Sequence, residues 1–218
     1  MSNWLMICVS IGSMVLAGLI GLVLIPFLRK LHFGQTILEE GPKWHESKKG
    51  TPIMGGFMFI ISSIVAAAAG YIIYFNSTIT DTTGIYRLAA CMIFSLLFSG
   101  IGFIDDYIKA VKKRNLGLTS IQKMIMQFVL CSAFLAALYF LGDTSTEINL
   151  MFFSFDIGYF YYPLMILFMI YISNAVNLTD GVDGLCGSVT FVTMLAFSLI
   201  CSLMSLIETS IYAMAISG

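Results

Sequence analysis

The chain alternates long apolar runs with short polar ones. Measured against the roughly 20 residues that a helix needs to cross hydrocarbon, the apolar runs predict six spans, at about residues 4–28, 53–75, 85–104, 121–141, 159–177 and 185–207. Between them lie a polar segment over 29–52, a short loop over 76–84, a cationic segment over 105–120, an acidic loop over 142–158 and a tight turn over 178–184. The first run lacks a positively charged leader and continues to Leu28, so it reads as a retained helix and not as a cleaved signal peptide. The expected fold class is all-α: a polytopic integral membrane helix bundle, with residues 1–218 as a single transmembrane domain.

Composition agrees with the pattern. At 59% hydrophobic residues, 11% charged residues and a mean hydropathy of +0.94, the chain has more apolar surface than a soluble globule could hide from water. The lipid bilayer is its expected partner, and a net charge of −1 gives no reason to expect nucleic acid. The five cysteines, Cys8, Cys91, Cys131, Cys186 and Cys201, are scattered singly and read as small packing residues, without metal-ligand spacing or a disulfide framework.

Charge distribution says more than net charge. Arg29, Lys30, Lys43, Lys48 and Lys49 fall in the first connection, and Lys109, Lys112, Lys113, Arg114 and Lys123 in or beside the third, whereas only Arg87 lies near an opposite-side loop. Positive residues favour the cytoplasmic side, which places the first, third and fifth connections in the cytoplasm and the N-terminus outside. Three polar segments then emerge on one membrane face: KKGTPIMGG at 48–56, IDDYIK at 104–109 and NAVNLTDGVDGL at 174–185.

Each segment has a plain reading and a chemical one. Asp105 and Asp106 are touching like charges at a bilayer edge and need a cation close by, either Lys109 one helical turn on or a divalent metal; the plain alternative is a stop-transfer boundary with solvated charges. Neighbours on a helix point about 100° apart, so the two acids are expected to do different jobs. Asn174 and Asn177 share a helical face, suited to hydrogen bonds between helices or to a ligand. Asp180 and Asp183 follow in a turn with Gly181, Gly184 and Gly187, open to solvent or to a metal. Gly50 and Thr51 before Pro52 could present backbone N–H groups to phosphate at a helix start, a weak signal by itself. Together, two carboxylate pairs, many cations and a glycine-rich turn on one face suit a metal-chelated diphosphate held at a bilayer surface. A transporter or channel is disfavoured, since the spans are nearly free of charge.

These three segments, with KKRNLGL and Lys123, resemble the signature segments of the bacterial phospho-N-acetylmuramoyl-pentapeptide transferases, over nearly the whole chain and in the same order. The family belongs to the wider polyprenyl-phosphate N-acetylhexosamine-1-phosphate transferases; the DDY, TPxMGG and NLTDG forms favour the first over its relatives. The resemblance implies a Mg²⁺-dependent transfer of phospho-N-acetylmuramoyl-pentapeptide from UDP-MurNAc-pentapeptide to undecaprenyl phosphate, giving lipid I and UMP. It also implies a bacterial inner-membrane location, an active site facing the cytoplasm, and a homodimer as a further arrangement.

Carried over by motif, Asp105, Asp106 and Asp180 are the catalytic acids, with Asp106 and Asp180 at the metal. Lys48, Lys109, Lys113, Lys123, Asn177 and Asp183 would bind substrate. For Asp105, charge compensation and positioning outrank proton removal, because a phosphate monoester with a second pKa near 6 is already mostly ionised at neutral pH. Ile53 replaces the commoner threonine of TPxMGG, and Val182 a leucine. The chain reads as the N-terminal part of such an enzyme, with about six of the family's roughly ten helices; a third metal-binding aspartate and a histidine-rich loop would lie beyond Gly218. The alternative is an inactive membrane fragment acting as an interaction element.

Overall fold

The computed structural model describes residues 2–30, 54–77, 83–112, 116–150, 153–181 and 183–218. Six helices are long and apolar enough to cross a membrane. They are α1 (Ser2–Lys30), α2 (Phe57–Ser77), α3 (Thr83–Lys112), α4 (Ser120–Phe140), α5 (Tyr161–Thr179) and α6 (Leu185–Leu203). All six expected spans are present, and α3 runs past its expected end to carry the Asp105–Lys109 segment on continuous helix.

The bundle is apolar outside as well as inside. Side chains such as Leu22, Val23, Phe140 and Leu203 stand fully on the surface, as expected where lipid tails are the solvent and helix association relies on close packing of small residues and on hydrogen bonds. The tightest packing joins α1, α2 and a short seventh helix, α7 (Ile207–Ser217), around Val9, Ala67, Ile211 and Ala215. Gly70 of α2 makes this approach feasible: a Cβ there would collide with Val9 and lie 3.1 Å from Ile211 Cγ2.

Two elements depart from the expected pattern. The sixth span ends at Leu203, not near 207, and the chain turns back at Ser205, whose φ of +63° lets the Leu206 N–H reach the Cys201 carbonyl at 2.8 Å. Helix α7 follows over Ile207–Ser217. It packs back on α6, where Ser198 and Ser210 exchange hydroxyl-to-carbonyl bonds of 2.9 and 2.8 Å. The acidic loop, for its part, contains an antiparallel hairpin of β1 (Glu147–Leu150) and β2 (Phe153–Asp156), with Ile148 opposite Phe155.

Helix pairing shows which ends lie together. Phe57 at the start of α2 meets Phe103 near the end of α3, with ring centroids 5.3 Å apart. At the other end of the α3–α4 pair, Arg87 reaches Asp143 at 3.0 Å, an exposed contact that contributes little. Tyr139 at the end of α4 meets Tyr162 at the start of α5. The start of α2, the end of α3, the start of α4 and the end of α5 therefore share one side of the bundle, and the short turn to α6 stays with them.

Candidate functional site

On that side the acidic pair of α3 divides as two neighbours on a helix must. Asp105 is buried, with 5% of its surface exposed, and points at α4. Its Oδ2 lies 2.6 Å from Lys109 Nζ and 3.1 Å from Lys123 Nζ, and its Oδ1 accepts the Leu118 N–H at 2.7 Å. Asp106 is half-buried and, among the described residues, meets Lys109, at 3.2 Å. The cation expected beside the pair is thus Lys109, one turn on, joined by Lys123 from the next helix.

The local sequence explains the geometry. Thr119 caps α4 by accepting the Gln122 N–H, while the Gln122 side chain accepts the Thr119 N–H, a reciprocal capping box. That cap starts α4 beside Asp105 and places Lys123 in its first turn. A carboxylate has about four acceptor positions, and three on Asp105 are occupied. Burying such a charge is tolerable only because every neighbour compensates it.

Gly117 is a residue that the motif reading passed over. A Cβ at this position would stand 2.7 Å from Asp105 Cγ and 2.8 Å from its backbone oxygen. The loop closes on Asp105 because nothing projects from Gly117. Gly117→Ala is expected to push the loop off the carboxylate and lower stability by about 1–3 kcal/mol. Thermal unfolding of the detergent-solubilised chain checks this, and an unchanged midpoint would refute the close fit.

The fifth connection supplies the second set. Asn174 donates to Gln127 Oε1 of α4 at 2.9 Å and to the Ile170 carbonyl at 2.8 Å, so this amide serves the contact between helices. Asn177 and Asp180 are exposed and make no side-chain hydrogen bond among the described residues; Asp180 caps the end of α5 through its backbone N–H to the Val176 carbonyl. Asp183 is exposed in the same turn. Of the three glycines there, only Gly184 has a left-handed backbone, with φ +79° just before α6.

The first connection is only partly described. Lys48, Gly50, Thr51 and Ile53 lie outside the described residues, as do Lys113 and Arg114 of the third. In the remainder of TPIMGG the left-handed residue is Met54, with φ +71°, and neither Gly55 nor Gly56 has a positive φ. Met54 is buried where the chain enters α2. A non-glycine residue in that conformation costs about 1–2 kcal/mol, so the surroundings must hold it.

The structure thus brings Asp105, Asp106, Lys109 and Lys123 into direct contact and leaves Asn177, Asp180 and Asp183 accessible at the same end. No three His, Cys, Asp or Glu side chains among the described residues form a metal cage. Asp106 and Asp180 each keep carboxylate oxygen without a partner among the described residues, the donor type that Mg²⁺ takes singly or in pairs together with phosphates and water. Asp105, buried and already engaged by Lys109, Lys123 and the Leu118 N–H, does not offer itself in this arrangement.

A bundle of six span-length apolar helices with an acid–lysine cluster and exposed carboxylates at one end defines a polytopic membrane protein. The chain belongs to glycosyl transferase family 4, whose model matches residues 88–218. It is similar to the phospho-N-acetylmuramoyl-pentapeptide-transferase of Shouchella clausii, at 41% identity over 100% of this chain and 65% of that protein. The proteins of the same name from Heliobacterium modesticaldum and Bacillus subtilis are 42% and 41% identical, over 92% and 90% of this chain and 60% and 59% of theirs. The chain therefore spans about three fifths of the length of these relatives.

Proposed function

We propose that the chain takes part in a phosphoglycosyl transfer of peptidoglycan synthesis, with UDP-MurNAc-pentapeptide as donor and undecaprenyl phosphate as acceptor. A phosphate oxygen of the lipid attacks the sugar-linked phosphorus, the bond to the UMP oxygen breaks, and lipid I and UMP result. The polar end of the bundle faces the cytoplasm of a bacterial cell, following the excess of lysine and arginine in its connections. The polar donor then arrives from water and the apolar acceptor from the membrane.

The observation that carries this reading is the clamp on Asp105. It holds two ammonium groups, Lys109 and Lys123, at the edge of the spans and aligns them where a diphosphate would lie. Phosphoryl transfer depends mainly on positioning and charge compensation, and Asp105 is a positioning residue in this scheme rather than a base. Asp106 and Asp180 would hold Mg²⁺, which supplies charge neutralisation at the diphosphate when bound. Asn177 and Asp183, exposed beside Asp180, present polar groups for the nucleotide. Lys48 and Lys113 are assigned to substrate from their motifs alone.

Incubating the purified chain with UDP-MurNAc-pentapeptide, undecaprenyl phosphate and Mg²⁺ tests the reading. The expected result is UMP release that requires both the lipid phosphate and the metal. No release, or equal release without the lipid, overturns the transfer. Faster reaction with UDP-N-acetylglucosamine would move the chain to the related hexosamine-phosphate transferases.

A further inference from the structure

Apart from Asp105 and the phenol of Tyr71, Gln127 is the one buried polar or charged side chain larger than serine among the described residues. It sits within the α4 span, one turn further from the polar end than Lys123 and on the same helix face. Its Oε1 accepts from Asn174 at 2.9 Å and its Nε2 donates to Ser173 Oγ at 3.4 Å, both on α5. Asn174 in turn lies three residues before Asn177 on one face of α5. The bridge therefore stands directly behind the polar end, with Lys123 about 6 Å and Asn177 about 4.5 Å nearer that end by helix rise.

We propose that Gln127 is a positioning residue whose amide fixes the depth and rotation of α5 against α4, so that Asn177 and Asp180 face the ammonium groups clamped by Asp105. The packing requires such a device. Among the described residues, the Tyr139–Tyr162 ring pair joins α4 and α5 at the far end, and in lipid apolar helix surfaces slide and rotate with little change in energy because the tails are equally apolar. Amide hydrogen bonds are directional and have no water to replace them within hydrocarbon. A rotation of α5 by one residue would turn Asn177 by about 100°. The α3–α4 pair has its own lock in the Asp105 clamp; without Gln127, α5 would have none of comparable directionality close to that end.

The functional part of this inference rests on the transferase reading, whereas the geometric part does not. Spin labels at Ile121→Cys and Leu178→Cys, both on exposed positions, report the α4–α5 distance in a full chain whose native cysteines are alanine. A second pair, at Tyr86→Cys and Phe140→Cys, reports the opposite end of the α3–α4 pair. Gln127→Leu is expected to broaden or shift the first distribution and leave the second unchanged. Gln127→Asn shortens the reach and should do the same, while the reciprocal swap Gln127→Asn with Asn174→Gln restores the original distribution.

Under the transfer assay, Gln127→Leu should lower kcat by about tenfold or more, since misplacing a positioned group by about 1 Å can cost a hundredfold, and the swap should recover most of it. A first distribution that superimposes on the unsubstituted chain in Gln127→Leu overturns the bridge. Shifted distances with unchanged kcat overturn the positioning role. Absence of UMP release from the unsubstituted chain would instead sink the transferase reading, and the distances would still decide the bridge.

Discussion

Asp105→Asn is expected to weaken the protein and its turnover together. The substitution retains an oxygen for the Leu118 N–H but removes the negative charge that faces Lys109 Nζ and Lys123 Nζ at 2.6 and 3.1 Å. Two partly buried ammonium groups would then lie side by side, with only the half-buried Asp106 left to compensate Lys109. Breaking a buried ion pair on one side costs several kcal/mol, and because both lysines retain some access to water the loss here should be on the order of 2–3 kcal/mol. It should appear as a lower thermal midpoint in detergent. Turnover should fall about a hundredfold or more, because the charges that would meet the diphosphate lose their alignment. A solvated stop-transfer acid would behave differently: neither quantity would change measurably, and that result would dismiss the clamp.

Asp180→Asn should separate the two effects. The side chain is exposed and makes no hydrogen bond among the described residues, while its cap contact comes from the backbone. Stability should therefore stay within about 0.5 kcal/mol. Turnover should nevertheless drop about a hundredfold, with a higher Mg²⁺ requirement if this carboxylate shares the metal with Asp106. Activity within a few-fold of the unsubstituted chain would remove Asp180 from the chemistry. Measured side by side, the two variants distinguish an acid that organises its neighbours from one that awaits a ligand.

The six spans were legible in the sequence because length and hydropathy alone decide them. That Asp105 and Asp106 would point to different surroundings was also legible, as helical geometry forces adjacent side chains apart. What the motifs could not reveal was which acid turned inward, since that depends on how α4 docks on α3. Lys123 was already marked by its motif, but its contact with Asp105 depends on the Thr119 cap that starts α4 beside it. Gly117 escaped notice because its role is the absence of a Cβ beside a carboxylate 12 positions earlier, which only packing reveals. A lone glutamine in an apolar run was a signal available for Gln127, though its partner on α5 was not. The hairpin at 147–156 was missed for another reason: its two strands of four residues each have too little apolar length to register on a ruler made for spans.

Helix α7 has a consequence for how the protein is made. Ser217 hydrogen-bonds to Ser10, 207 positions earlier, and Ser210 donates to the sulfur of Met6. A nascent chain inserts its opening segment long before the segment that seals it has left the ribosome. During that interval the inner surface of the opening segment must rest on lipid, on insertase or on chaperone. Changes in α7 should consequently register first as proteolysis of newly synthesised material.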